Sequence, residues 1–183
     1  RSYYMIQWCC LNLLDYQLCP AALNEKTLEE ATLIAKNLIS KFKSPGVFAI
    51  EMFVSNTGEV LVNETAPRVH NSGHHTIEAT LSSQFDMLWR ILLKMPLGST
   101  QLLSPSVMVN IIGAEFHQGP VEYEGLPEVL SQSGAFVHLY GKQKTSPGRK
   151  MGHVNLLGQE LTMLDEKAHW IKSTLIAKSS TKE

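Results

Sequence analysis

The 183-residue sequence has few cysteines, no excess of one charge and no long apolar run, and each lack narrows what the chain can be. Its three cysteines, Cys9, Cys10 and Cys19, are odd in number and two are adjacent. That is a poor disulfide framework and fits a reducing compartment, with the cytoplasm as the default. Seventeen Asp plus Glu against sixteen Lys plus Arg leave a net charge of −1. A basic excess of the kind that drives non-specific binding to nucleic acid or anionic membrane is absent, so any polyanion site must be local. No apolar stretch approaches the roughly 20 residues needed to span a bilayer. The short run from Trp8 to Leu14 lacks a basic leader and a cleavage pattern. Neither a nucleic-acid nor a membrane partner is expected. There is no internal repeat and no low-complexity segment. The chain begins at Arg1 rather than Met and enters directly into apolar sequence, which reads as a piece of a longer protein.

What is present is a packed globular composition, 44% hydrophobic. After an irregular start, Leu28, Ala31, Ile34, Leu38 and Phe42 fall at helical spacing behind a Thr27-x-x-Glu30 capping box. Pro45-Gly46 stops that helix. "GVFAIEMFV" and "EVLVNE" then read as a hairpin around Asn56-Thr57-Gly58. From Thr76, the residues Ile77, Leu81, Phe85, Leu88 and Leu92 predict a second long helix ending near Pro96. "SVMVNIIG", "GAFVHLYG" and "GHVNLLG" read as three further strands, and Glu160 to Ala177 as a closing helix with a frayed tail. The class is α+β with antiparallel pairing prominent.

Three stretches carry candidate chemistry. In the hairpin, a register pairing Val54 with Leu61 sets Glu51 opposite Glu64 on one face. Directly opposed like charges destabilise a sheet, so the pair makes sense around a hard cation such as Mg²⁺ bearing phosphate oxygens. A loop one residue different would put Glu51 opposite Asn63 and send Glu64 to the other face, and two solvated acids on an outer face is the competing reading. The following loop packs Arg68, His70, Asn71, Ser72, His74 and His75 into eight positions. Arg offers a fork for a carboxylate or phosphate, and His donates or exchanges a proton near neutral pH. A zinc site at His70, His74 and His75, or a polar helix-entry loop capped by Asn71 or Ser72, are the alternatives. Lys142, Lys144, Arg149 and Lys150 surround a Ser-Pro-Gly turn between strands, where they either converge on one phosphate or form a solvated basic turn. The Cys and Met residues and Trp170 read as packing.

Taken in order, "GVFAIEMFV", "GEVLVNETAPRVHNSGHHTIEAT", "SQFD", "MPLG" and "VHLYGK…PGRKMGHVNLLG" resemble the carboxy-terminal part of the 5-(carboxyamino)imidazole ribonucleotide synthases, ATP-grasp enzymes of purine synthesis. The resemblance runs from about Pro20 to Gly158. It implies the C-terminal lobe of an ATP-grasp domain over 1–100 and a small β-rich, rudiment single-hybrid-like domain over 101–183. It further implies carboxylation of aminoimidazole ribonucleotide with ATP and bicarbonate through carboxyphosphate. On matching positions, Glu51 and Glu64 become ligands of Mg²⁺ or Mn²⁺, with Asn63 beside the ATP phosphates. Arg68 and His70 hold bicarbonate or carboxyphosphate, Asn71 and Ser72 line the nucleotide, and Lys142 and Arg149 grip its ribose phosphate. A homodimeric parent and fusion to, or cooperation with, a downstream mutase are implied as well. The family's amino-terminal lobe would lie upstream of Arg1, leaving half a site here and an inactive fragment. Residues 1–19 depart from the family pattern. A formate-dependent glycinamide ribonucleotide transformylase and a non-catalytic structural module are the other readings.

Overall fold

A computed structural model describes residues 6–10 and 13–180, with side chains from Asp15 onward. Strands β1 (Ile6–Cys10) and β2 (Leu13–Cys19) open the chain as an antiparallel pair. They occupy what the sequence offers as an irregular start. In β2, Tyr16, Gln17, Leu18 and Cys19 are all buried, so the strand shows none of the alternation that marks a half-exposed one. The fold is α+β, with antiparallel sheets, and forms two compact units. One contains Pro20–Leu103; the other contains β1, β2 and the described residues from Ser104 on. The expected division at 100/101 thus lies three residues from the observed one, and the amino-terminal strands join the second unit. Among the described residues no helix is long and apolar enough to cross a membrane.

The first unit begins with helix α1 (Glu25–Lys41). Its cap is Asn24, one turn earlier than the expected Thr27 box: the Asn24 Oδ1 accepts from the Thr27 N–H at 2.9 Å and from its hydroxyl at 3.0 Å. Strands β3 (Ala49–Val54) and β4 (Val60–Ala66) form the expected hairpin. A single 3₁₀ turn, Asn71–Gly73, leads into a short helix α2 (Thr76–Ala79), and α3 (Gln84–Leu92) follows. The predicted long second helix is therefore broken. Thr80 is extended (φ −133°, ψ 158°) and bridges Leu102, while its hydroxyl donates to Thr76 O at 2.8 Å. Ser83 then starts the next helix by accepting from the Asp86 N–H. His75, fully buried at the head of α2, meets Ser72 O through Nδ1 at 3.0 Å, and burial pulls its pKa down to about 4.

The second unit is built on β5 (Ser106–Ile112), then β6 (Gly119–Glu124), α4 (Leu126–Leu130), β7 (Ala135–Leu139), β8 (Lys144–Thr145), β9 (Lys150–Leu157), α5 (Leu161–Thr174) and β10 (Ile176–Ser179). Five strands form one antiparallel sheet in the order β1-β2-β5-β9-β7, and β10-β6-β8 form a second. The expected closing helix ends early, because beyond Leu175 the chain is extended and Ala177 and Ser179 are buried at period two in a pairing with β6. Leu164, Ala168 and Ile171 of α5 and its C-cap Leu175 recur at helical spacing. That stripe packs on Val107, Val109, Val154 and Leu156 of the large sheet. Tyr16 ties the sheet to the helix by donating to Asp165 Oδ1 at 2.8 Å, and burial, with Asp165 beside it, pushes its pKa up to about 12. An Asp15–Lys172 ion pair lies next to it. The buried Cys19 thiol is likewise pushed up to about 12, which makes it an inert packing group.

Two outcomes are expected. Leu156, almost fully buried, should lose about 2–5 kcal/mol on truncation to Ala, read from the urea midpoint, whereas Leu33→Ala at an exposed position of α1 should shift it by less than about 0.5 kcal/mol. Equal losses at the two sites would contradict this packing. His75 gives a pH signature: the unfolded imidazole takes a proton near pH 6.5 that the folded one refuses until about 4, so stability falls as pH drops through that window. The loss is on the order of 2–3 kcal/mol, and Gln in place of His75 should flatten the slope of midpoint against pH.

Candidate functional site

The hairpin reaches its Glu51–Glu64 pairing by a route that its sequence does not display. Its turn closes with Ser55 N–H on Glu59 O and Gly58 N–H on Ser55 O, both at 2.9 Å. Val54 consequently faces Val60, Phe53 faces Leu61 and Met52 faces Val62, one residue off the expected register. Continued regularly, that would set Glu51 against Asn63. Instead the register shifts between Glu51 and Met52, Asn63 becomes the extra residue of a β-bulge, and Glu51 faces Glu64. The bulge restores the carboxylate pair.

The third member comes from the loop after β4. His70 lies with Nδ1 3.6 Å from Glu51 Oε1 and Nε2 3.8 Å from Glu64 Oε1. Glu51, Glu64 and His70 each present one ligand atom within 4.8 Å of the others. Glu51 and His70 are partly buried and Glu64 is open to solvent, so the cluster has a sheltered floor and an accessible rim. Hard carboxylate oxygens on two strands fit Mg²⁺ or Mn²⁺, and the imidazole nitrogen is better suited to Mn²⁺ than to Mg²⁺. His70 Nδ1 accepts from the Ser72 N–H at 3.5 Å and sits 2.8 Å from its hydroxyl.

The remaining loop residues divide. Ser72 is buried and Asn71 half-buried in the 3₁₀ turn. Arg68 stays exposed and donates to Val69 O at 3.0 Å, outside the cluster. The three-histidine zinc arrangement does not form: His74 stacks on Phe85 and His75 is turned into the core, so His70 alone points to the carboxylates. Gln84 escaped the sequence reading although it touches this loop; "SSQFD" reads as part of an apolar helical stripe, and only the polar Gln within it hinted otherwise.

In the second unit, Lys142, Lys144, Arg149 and Lys150 do surround one turn. Arg149 is exposed and donates to Lys144 O at 3.0 Å; Lys142 donates to Lys150 O and lies 5.6 Å over the Tyr140 ring. Tyr140 is fixed in turn by His153 Nδ1 at 3.0 Å. The turn is clamped from β5: Gly113 N–H donates to Arg149 O at 2.8 Å and Gly148 N–H to Gly113 O at 3.0 Å. A Cβ at Gly113 would lie 2.1 Å from Ser146 O and 2.4 Å from Thr145 Oγ1, so only glycine allows this approach.

Residues 10–85 match the ATP-grasp domain model, and 106–167 match that of the phosphoribosylaminoimidazole carboxylase C-terminal domain. N5-carboxyaminoimidazole ribonucleotide synthase of Aquifex aeolicus is 43% identical over 163 residues, which cover 89% of this chain and 42% of that protein. The phosphoribosylaminoimidazole carboxylase of Ogataea methanolica is 39% identical over 168 residues, covering 89% of this chain and 30% of that one. The crystal structure of the Thermotoga maritima N5-carboxyaminoimidazole ribonucleotide synthetase superposes with a TM-score of 0.87 at 44% identity, over 90% of this chain and 46% of that one. An Aspergillus clavatus synthase in complex with ADP and 5-aminoimidazole ribonucleotide gives 0.82 at 28% identity, over 93% and 46%. The chain spans less than half the length of each of these relatives. With both domain models matched in order and relatives about 40% identical over most of this chain, the chain belongs to the N5-carboxyaminoimidazole ribonucleotide synthase branch of the ATP-grasp family.

Proposed function

We propose that the protein carrying this chain uses ATP and bicarbonate to carboxylate the exocyclic amine of aminoimidazole ribonucleotide, in purine synthesis. The observation that carries this reading is the Glu51–Glu64 pair with His70 at its edge. Bicarbonate oxygen takes the γ-phosphoryl group of ATP, giving ADP and carboxyphosphate. The amine then attacks the carboxyl carbon, phosphate leaves and one proton is lost, giving the carbamate. The Pro20–Leu103 unit is the C-terminal lobe of the ATP-grasp domain and the second unit its small β-rich companion.

A divalent cation at Glu51 and Glu64, Mg²⁺ or Mn²⁺, supplies charge neutralisation to the ATP phosphates. Asn63, on the bulge beside Glu64, faces those phosphates. Arg68 and His70 hold bicarbonate or the carboxyphosphate formed from it. Asn71 and Ser72 line the nucleotide, and Lys142 and Arg149 take its ribose phosphate. Such chemistry rests on placed charge and exclusion of water more than on covalent help. The same reading carries a cytoplasmic setting, a homodimeric assembly and hand-over of the carbamate to a mutase.

Kinetics of the protein that contains this chain test the reading. Gln at position 51 or 64 should lower ATP turnover on the order of a hundredfold, and the double substitution should cost little more, because both serve one ion. Fully additive losses would count against a shared cation. Arg149→Ala should raise the KM for aminoimidazole ribonucleotide about ten- to a hundredfold, the worth of a charge-assisted hydrogen bond, and leave that for ATP within about twofold. An unchanged nucleotide KM, or an equal loss for ATP, would sink the phosphate assignment.

A further inference from the structure

We propose that Gln84 is the positioning residue of His70, and that Gly73 is glycine so that the Gln84 amide can reach it. The inference rests on His70 acting on bicarbonate. Gln84 is the first residue of α3, buried, and its own N–H donates to Thr76 Oγ1 at 2.9 Å. From there its side chain turns back across fourteen residues of sequence. Oε1 accepts the His70 N–H at 2.8 Å, and Nε2 donates to His70 O at 2.8 Å. One carboxamide thus exchanges two hydrogen bonds with the backbone of one residue, as a neighbouring strand would. The amide cannot be turned over without placing two donors and two acceptors against each other, so its orientation is determined. The second Nε2 proton faces His74 Nδ1 at 3.2 Å.

This clamp fixes His70 at the head of the 3₁₀ turn Asn71–Gly73, with φ −133° and ψ 156°. Held there, the imidazole presents Nδ1 to Ser72 and Glu51 and Nε2 to Glu64. Gln is the side chain that fits. Glu keeps the acceptor for the His70 N–H but turns a carboxylate oxygen on the His70 carbonyl; Leu offers neither group; Asn is one methylene too short. The approach is close: a Cβ at Gly73 would stand 2.4 Å from Gln84 Oε1 and 2.6 Å from Cδ, so a methyl group there expels the amide. Gln84 touches no substrate in this account and acts through His70.

The test uses the protein that contains this chain, with Gln84→Glu, Gln84→Leu, Gly73→Ala, His70→Asn and the His70→Asn/Gln84→Glu pair. Carboxylation kcat, the KM for ATP, and the ratio of ADP released to carbamate formed are measured for each. The three clamp variants should lower carboxylation about ten- to a hundredfold, leave the KM for ATP within about twofold, and raise the ratio of ADP to carbamate as loosely held carboxyphosphate breaks down to carbon dioxide and phosphate before the amine attacks. A general loss of folded protein lowers both products together and leaves that ratio at the wild-type value, so an unchanged ratio in Gln84→Glu and Gly73→Ala overturns the inference. In the His70→Asn background, Gln84→Glu should add less than about twofold; an independent, multiplicative loss also overturns it. The reading of His70 itself fails separately, if His70→Asn leaves both kcat and the ratio unchanged.

Discussion

Two carboxylates on adjacent strands repel each other across a distance at which water screens them only in part, and a hairpin that sets Glu51 opposite Glu64 works against its own stability. Six cross-strand pairs hold the arrangement, and the bulge at Asn63 sets its register. The rest of the first unit is arranged around that tension. His70 brings an imidazole to both acids, and the loop that carries it is tied to α2 and α3 through the hydrogen bonds of Gln84 and Thr76 and the stacking of His74 on Phe85. Two carboxylates and an imidazole thus stand with one ligand atom each within 4.8 Å of the others, and this geometry is what the proposed cation site rests on.

Much of this was legible in the chain and the rest was not, for reasons that differ by residue. The hairpin announced itself through alternation and the Asn-Thr-Gly turn, and the pairing of Glu51 with Glu64 followed. The path to it did not, because two one-residue differences, a shorter turn and a bulge, cancel and leave the same pair. The break after α2 was hidden because Ile77, Leu81 and Phe85 keep helical spacing through it, while the competing bridge of Thr80 comes from residue 102. Gln84 was hidden by the same stripe: its role depends on a tertiary contact, and nothing local distinguishes it from a surface glutamine. The basic turn was visible as composition, but Gly113, which clamps it, lies thirty-six positions upstream of Arg149. β2 was missed because it is buried on both faces and so carries no period.

The two clamps share a form. In each, a cationic or titratable side chain stands on a turn whose backbone is grasped by another element: His70 by the amide of Gln84, Arg149 by the peptide of Gly113. In each, a glycine permits contact that a methyl group would block. The position of each side chain is thus set by backbone hydrogen bonds one step removed from it.

The pairing of β2 with β5 has a consequence for how the chain assembles. Cys19 lies opposite Ser106, so the chain leaves the second unit's sheet and returns to it at neighbouring positions, with the whole Pro20–Leu103 unit threaded between. On a ribosome, β2 emerges with β1 beside it but long before β5, so its other edge must wait through the synthesis of an entire inserted unit. The entropic cost of closing so long a loop grows only with the logarithm of its length, but the rate of finding the partner strand falls with sequence separation. An insert that folds first shortens the gap by holding its own ends, which makes the first unit a scaffold for the birth of the second.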